Sequence, residues 1–197
     1  MGEVDYPALV RATLGAPPRL GDVRLVAVDG GTGAGKSTVA AGLAAALAAA
    51  GRTVAVVAAD DLLDGWSDVE GAGSRIRDLV LTPLAAGATA RYHPYDWHAG
   101  RFGDKVREVA PPGVLILEGV GAGRGMFRPY LSLLIYVDAP LELRFARVLA
   151  RDGEEIAGPL RDWIADETAH LAANGTREAS DVYLIPTECP DDPKEDV

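Results

Sequence analysis

VDGGTGAGKSTVAAGL, residues 28–43, sets Gly30, Gly31, Gly33 and Gly35 beside a single lysine, Lys36, where an apolar run meets an alanine-rich one. The apolar run, VRLVAVD at 23–29, reads as a strand covered on both faces. The run after the lysine reads as a helix over 36–50, with Val39, Leu43 and Leu47 on one side and Gly51 as its stop. Between them, residues 30–37 fit G-x-x-x-x-G-K-[ST]. Glycines let the backbone turn inward so that successive N–H groups face one anion. The start of the helix adds its positive end. Gly31, Thr32, Gly33, Ala34, Gly35, Lys36, Ser37 and Thr38 are the expected cradle. Lys36 is placed for the β- and γ-phosphates, and the Ser37 hydroxyl for Mg²⁺. The pattern implies a nucleoside triphosphate, ATP with Mg²⁺. An N-K-x-D guanine-reading segment and an L-S-G-G-Q transporter segment are both missing from the sequence.

Outward from the loop, further apolar runs at 53–60, 114–120, 131–140 and 180–186 read as strands. Helical spacing falls between them: at 5–15, at 74–87 with an interruption at Pro83, at 140–153 with Pro140 in the first turn, and at 158–175. Residues 88–97 and 104–113 read as short extended segments. The alternation predicts an α/β fold of the P-loop NTPase type. It is a five-stranded parallel sheet with helices on both faces and a small extended insertion before the third core strand. One domain is expected over 1–189, with a helical N-terminal extension (1–20), an insertion (88–112) and a short lid (152–158). An acidic tail follows at 190–197.

Composition narrows the partners. The 197 residues carry a formal charge of −10, which argues against a nucleic acid partner. No apolar stretch is long enough to span a membrane, and no signal peptide is evident at the N-terminus. The lone Cys189 carries no signature of an oxidising compartment, and the chain reads as cytoplasmic. An acidic chain that grips a triphosphate must do so locally. The partner expected is a small molecule with an available hydroxyl, and oligomeric state is left open.

The acceptor side is read from strand ends. Side chains just past a parallel strand point into the ligand crevice. Asp60, in AADDLLDG, would face the γ-phosphate and could take a hydroxyl proton. A Mg²⁺-water ligand or a helix cap is the plainer role, and Asp61 is its rival. Glu118, closing VLILE, should approach the metal's water shell or an acceptor hydroxyl. In RYHPYDWHAGRF (91–102), Tyr95 and Trp97 could flank a planar base, and Asp96, His98 and Arg101 could bond its edge or a ribose. Local packing of the insertion is the competing explanation. Arg144, Arg147 and Arg151 share one helical face, and Arg147 and Arg151 are preferred for offsetting charge on the phosphoryl group. Arg124 is a further candidate.

Together GGTGAGKST, ADDLLDG, TPLAAGATARYHPYDWHAGRF, VLILEGV and LRFARVLARD resemble the uridine kinase-like group of P-loop kinases. That group includes nicotinamide riboside kinase, pantothenate kinase and phosphoribulokinase. The resemblance implies ATP- and Mg²⁺-dependent transfer to a hydroxyl, often the 5′-OH of a nucleoside of the uridine or cytidine type. It implies Asp60 as base and Arg147 and Arg151 near the phosphates. Leu62 and Leu63 stand where uridine kinases usually carry an aromatic pair, and the histidine of YDWH comes early. These departures widen the acceptor to other ribosyl or polyol compounds. Two other readings are a non-catalytic nucleotide-binding regulator and a nucleoside monophosphate kinase.

Overall fold

The computed structural model describes residues 4–66 and 68–186; Cys189 and the tail at 190–197 lie outside them. Helix α1 (Tyr6–Gly15) is capped by Asp5, whose Oδ1 accepts the Ala8 N–H at 2.8 Å. Strand β1 (Arg24–Asp29) then leads into helix α2 (Lys36–Ala49), and β2 (Val54–Ala58) follows. Further along lie β7 (Val114–Glu118), β8 (Leu131–Val137), helices α5 (Leu141–Asp152) and α6 (Ala157–Asn174), and β9 (Val182–Leu184). The sheet has the order β2-β7-β1-β8-β9, and every pairing is parallel.

The inner strands β1, β7 and β8 are mostly apolar because both of their faces are covered. Leu25 and Ala27 of β1 join Leu115, Leu117 and Leu134 in one core. Their neighbours Val26 and Val28 join Ile116, Ile135 and Val137 in the other. Period-two alternation of side chains divides one apolar run between two interiors. The second core is closed by Val39, Leu43 and Leu47 of α2 and Leu9 of α1. The N-terminal helix therefore packs on the body of the fold: a Cβ on Gly42 of α2 would collide with the Tyr6 ring.

The expected helix at 74–87 differs in start and in the place of its break. Helix α3 (Val69–Ile76) begins earlier, a π-turn occupies Arg77–Leu81, and α4 (Thr82–Ala85) continues the rod. Thr82 N–H reaches back to Arg77 O, so the widening precedes Pro83. The ring has no N–H to give and crowds the carbonyl four residues back. The looser turn accommodates this, and Pro83 falls in the first turn of α4.

The insertion is two nested antiparallel pairs. Strand β3 (Ala90–Tyr92) pairs with β6 (Arg107–Val109), and β4 (Tyr95–Asp96) with β5 (Arg101–Phe102). Between α5 and α6 the segment expected as a lid contains one 3₁₀ turn, Glu154–Ile156. No described helix is long and apolar enough to cross a membrane.

Candidate active site

The carboxyl ends of three adjacent strands, β2, β7 and β1, finish level. Glu118 of β7 pairs in register with Val28 of β1 on one side and Ala58 of β2 on the other. The glycine loop, Glu118 and the residues after β2 therefore meet at one edge, where open α/β sheets bind ligands. Gly35 caps α2 at φ +95° and Gly33 sits at φ +78°, a region that side chains with a Cβ rarely adopt. Lys36 is buried and donates from Nζ to Gly31 O at 3.0 Å. Ser37 donates from Oγ to Glu118 Oε1 at 3.2 Å.

Beneath the loop lies a carboxylate without an assigned role in the sequence reading. Asp29 is fully buried and accepts N–H groups from Gly30 (2.7 Å), Gly121 (2.9 Å) and Gly123 (2.8 Å). It fastens the end of β1 to the turn after β7. Burial raises its pKa, opposed by those three amides and by Lys36.

Asp60 and Asp61 stand side by side on a 3₁₀ turn, Ala59–Leu62, and part ways there. Asp61 Oδ2 accepts Arg107 Nη1 at 2.5 Å and the Tyr92 hydroxyl at 3.3 Å, which ties it to the insertion. Asp60 lines a cavity of about 680 Å³ that also takes in Thr32 of the loop. It is reached by solvent through that cavity, yet protein surrounds it closely enough that burial raises its carboxyl above the usual range. Lys36 and Arg151 oppose the shift; Asp61 and Glu167 add to it. Glu118 is raised too, first by burial, with Lys36 and Ser37 opposing and Asp60 adding.

Indole rings form one wall of the cavity. Trp66 meets Trp97 edge-on at 5.3 Å and Trp163 at 5.9 Å. Tyr95 continues the row, edge-on to Trp97 at 5.1 Å and to Phe102 at 5.3 Å. The structure thus brings Trp97 and His98 to the cavity, with Tyr95 behind them. It places Asp96 and Arg101 elsewhere. Asp96 accepts the N–H groups of His98 and Ala99 and caps its own turn, while Arg101 pairs with Asp104 at 3.5 Å. Trp66 and Trp163 were not identified from the sequence. Trp66 sits two residues beyond Asp64 of ADDLLDG, close enough to that motif to have been a candidate.

The arginines also separate. Arg151 lines the cavity and bonds Asp152 through Nε (2.8 Å) and Nη2 (2.7 Å). Arg147 is 1% exposed and donates to Gly33 O at 3.3 Å, so it supports the loop from behind. Arg124 is enclosed: Nε donates to Gly121 O (2.8 Å) and Nη1 to Val69 O (3.0 Å). It braces the turn after β7 against α3, away from the cavity.

A parallel sheet of this order with a glycine loop between β1 and α2 is the P-loop NTPase fold. The family profile described as the CobQ/CobB/MinD/ParA nucleotide binding domain matches residues 25–82, the part that holds the loop and β2. The whole chain is similar in structure to a "possible uridine kinase" from Bacillus stearothermophilus. The TM-score is 0.65 at 21% identity, over 91% of this chain and 96% of that one. It is also similar to a Silicibacter sp. TM1040 protein provisionally described as a fructose transport system kinase. There the TM-score is 0.58 at 24% identity, over 92% and 99% of the two chains. No curated protein sequence matches this chain.

Proposed function

We propose that this protein is a Mg·ATP-dependent phosphotransferase that moves the γ-phosphoryl group to a hydroxyl of a ring-bearing, nucleoside-like small molecule. One observation carries the reading: Thr32 of the phosphate loop and the carboxyl of Asp60 line the same cavity, under a wall of indoles. A nucleotide on the loop and an acceptor on the indoles would meet beside Asp60. As the acceptor oxygen bonds to phosphorus and the bond to the β-phosphate oxygen breaks, the hydroxyl proton passes to the Asp60 carboxylate and ADP leaves. The raised pKa of Asp60 makes it a stronger base than an ordinary aspartate. Lys36 and Arg151 lie close enough to act electrostatically on this carboxyl, and so to balance charge around the transfer.

The donor set suits magnesium. Ser37 and Glu118 offer hard oxygens, and the Glu118 carboxyl is held up by burial with Asp60 adding like charge. A divalent cation there would relieve both. Among the described residues no three His, Cys, Asp or Glu side chains form a cage, so a cation would share its coordination with phosphate oxygens. When bound, Mg²⁺ would offset the negative charge of the β- and γ-phosphates.

An alcohol acceptor fits better than a monophosphate. Asp60, Asp152 and Glu155 all line the cavity, with Arg151 already bonded to Asp152. A second phosphate would enter against those charges. The test is ADP formation from Mg·ATP over a panel of nucleosides, nicotinamide riboside, pantothenate and sugars, with uridine and fructose included because the two structural neighbours bear those names. Acceptor-dependent turnover is expected. Tight ATP binding without it would favour a non-catalytic regulator, and turnover only with phosphorylated acceptors would favour a monophosphate kinase.

A further inference from the structure

Thr32 is held by all three of its polar atoms, and every partner comes from the helices that flank the lid. Its N–H donates to Glu167 Oε2 at 2.8 Å. Its carbonyl accepts Arg144 Nη1 at 3.2 Å. Its hydroxyl accepts Trp163 Nε1 at 2.7 Å. Arg144 Nη1 also bonds Glu167 Oε1 at 2.8 Å, which closes the set. Glu167 is fully buried and Trp163 is 4% exposed, so these bonds are partly shielded from water. Trp163 and Glu167 are one turn apart on α6, and Arg144 is on α5.

The loop is shaped to admit this set. Gly31 has no positive φ, so its backbone does not demand glycine. Space does while Arg144 keeps its bond to Glu167: a Cβ there would collide with the Arg144 guanidinium and sit 3.0 Å from Glu167 Oε1. Beyond Arg144 on the same helix, Arg147 reaches Gly33 O and Arg151 reaches the cavity. The lid that joins the two helices contributes Glu155 and Ile156 to the acceptor cavity. One continuous set of contacts therefore runs from the phosphate loop, through Thr32, to the acceptor's enclosure.

We propose that Arg144, Trp163 and Glu167 clamp Thr32 so that the phosphate loop and the lid respond to nucleotide as one unit, with Arg144 and Glu167 as positioning residues. The proposal rests on the nucleotide-dependent reading above. Neither helix needs to touch the nucleotide for this. A ligand that settles the loop stabilises one arrangement of α5 and α6 and so orders residues 153–158.

The test pairs calorimetric binding of a non-hydrolysable ATP analogue with Mg²⁺ to hydrogen exchange over 153–158. In the wild type the analogue should slow exchange in that segment by about tenfold or more. In Glu167→Gln and Arg144→Met the analogue should still bind, but the slowing should shrink to about twofold or less. The double variant should match the singles, because the pair acts as a unit. A purely structural role would speed exchange with and without the analogue alike and leave their ratio at the wild-type value; that result overturns the clamp. Should either variant fail to fold, Thr32→Val removes only the acceptor of the Trp163 indole and must reduce the same ratio. An unchanged ratio there also overturns the proposal. Wild-type protein that binds no nucleotide would sink the phosphotransferase reading together with the clamp. Wild-type protein that binds nucleotide with no change at 153–158 would sink the clamp alone.

Discussion

Arg107 donates to Asp61 Oδ2 at 2.5 Å, and this bond gives two adjacent carboxylates different surroundings. Asp61 anchors the insertion, and Asp60 is left facing the cavity. Asp60→Asn should lower kcat by about 10²- to 10⁴-fold, the usual weight of a general base. Its affinity for ATP should stay within about threefold of wild type. Asp61→Asn should instead lower the melting temperature and affect turnover less. Steady-state kinetics beside thermal unfolding of the two variants separates the roles, and near-normal kcat in Asp60→Asn would remove Asp60 as the base.

The second expectation concerns pH. Asp60 must be ionised to accept a proton, and burial holds its carboxyl above the ordinary range. The acid limb of kcat/KM should therefore lie at higher pH than for an exposed aspartate. Arg151 pulls that limb down through its charge. Arg151→Met should move the limb to still higher pH, and a shift in the opposite direction would disconnect the limb from Asp60.

Glu118 gives the third. Burial raises its pKa in the folded chain, as it does for Asp29 and Asp60. A folded state that keeps its protons to higher pH than the unfolded chain is stabilised below the unfolded pKa. That contribution is lost as pH rises through the folded value. Without nucleotide, Glu118→Gln should be at least as stable as wild type near neutral pH, with a shallower fall of melting temperature as pH rises above the ordinary glutamate range. The same variant should need at least about tenfold more Mg²⁺ for half-maximal turnover. Greater stability with weaker Mg²⁺ affinity would mark a residue kept for chemistry at a cost to folding.

The fold was legible in the sequence because its physics is local. Short apolar runs such as VLILE, bounded by glycine and proline, read as interior strands, and a glycine-rich turn before Lys36 has one common use. The site was legible in part. Strand-end geometry brought Asp60 and Glu118 to the sheet edge, but the different surroundings of Asp60 and Asp61 depend on Arg107, 46 residues from Asp61. Helical spacing put Arg144, Arg147 and Arg151 on one face without showing that one would clamp the loop, one would lie beneath it and one would reach the cavity. Glu167 and Trp163 meet Thr32 across more than 130 residues, and no periodicity encodes such a pairing. In sequence they read as ordinary members of an amphipathic helix.

All three tryptophans of the chain belong to the ring row beside the cavity. Ultraviolet emission from this protein therefore originates almost wholly where an acceptor would settle, with no distant indole to dilute it. Rings held edge-on at such short separations also couple their electronic transitions. Near-ultraviolet dichroism and emission colour become built-in optical gauges of occupancy, usable on unlabelled protein and able to sort candidate acceptors before any turnover is measured.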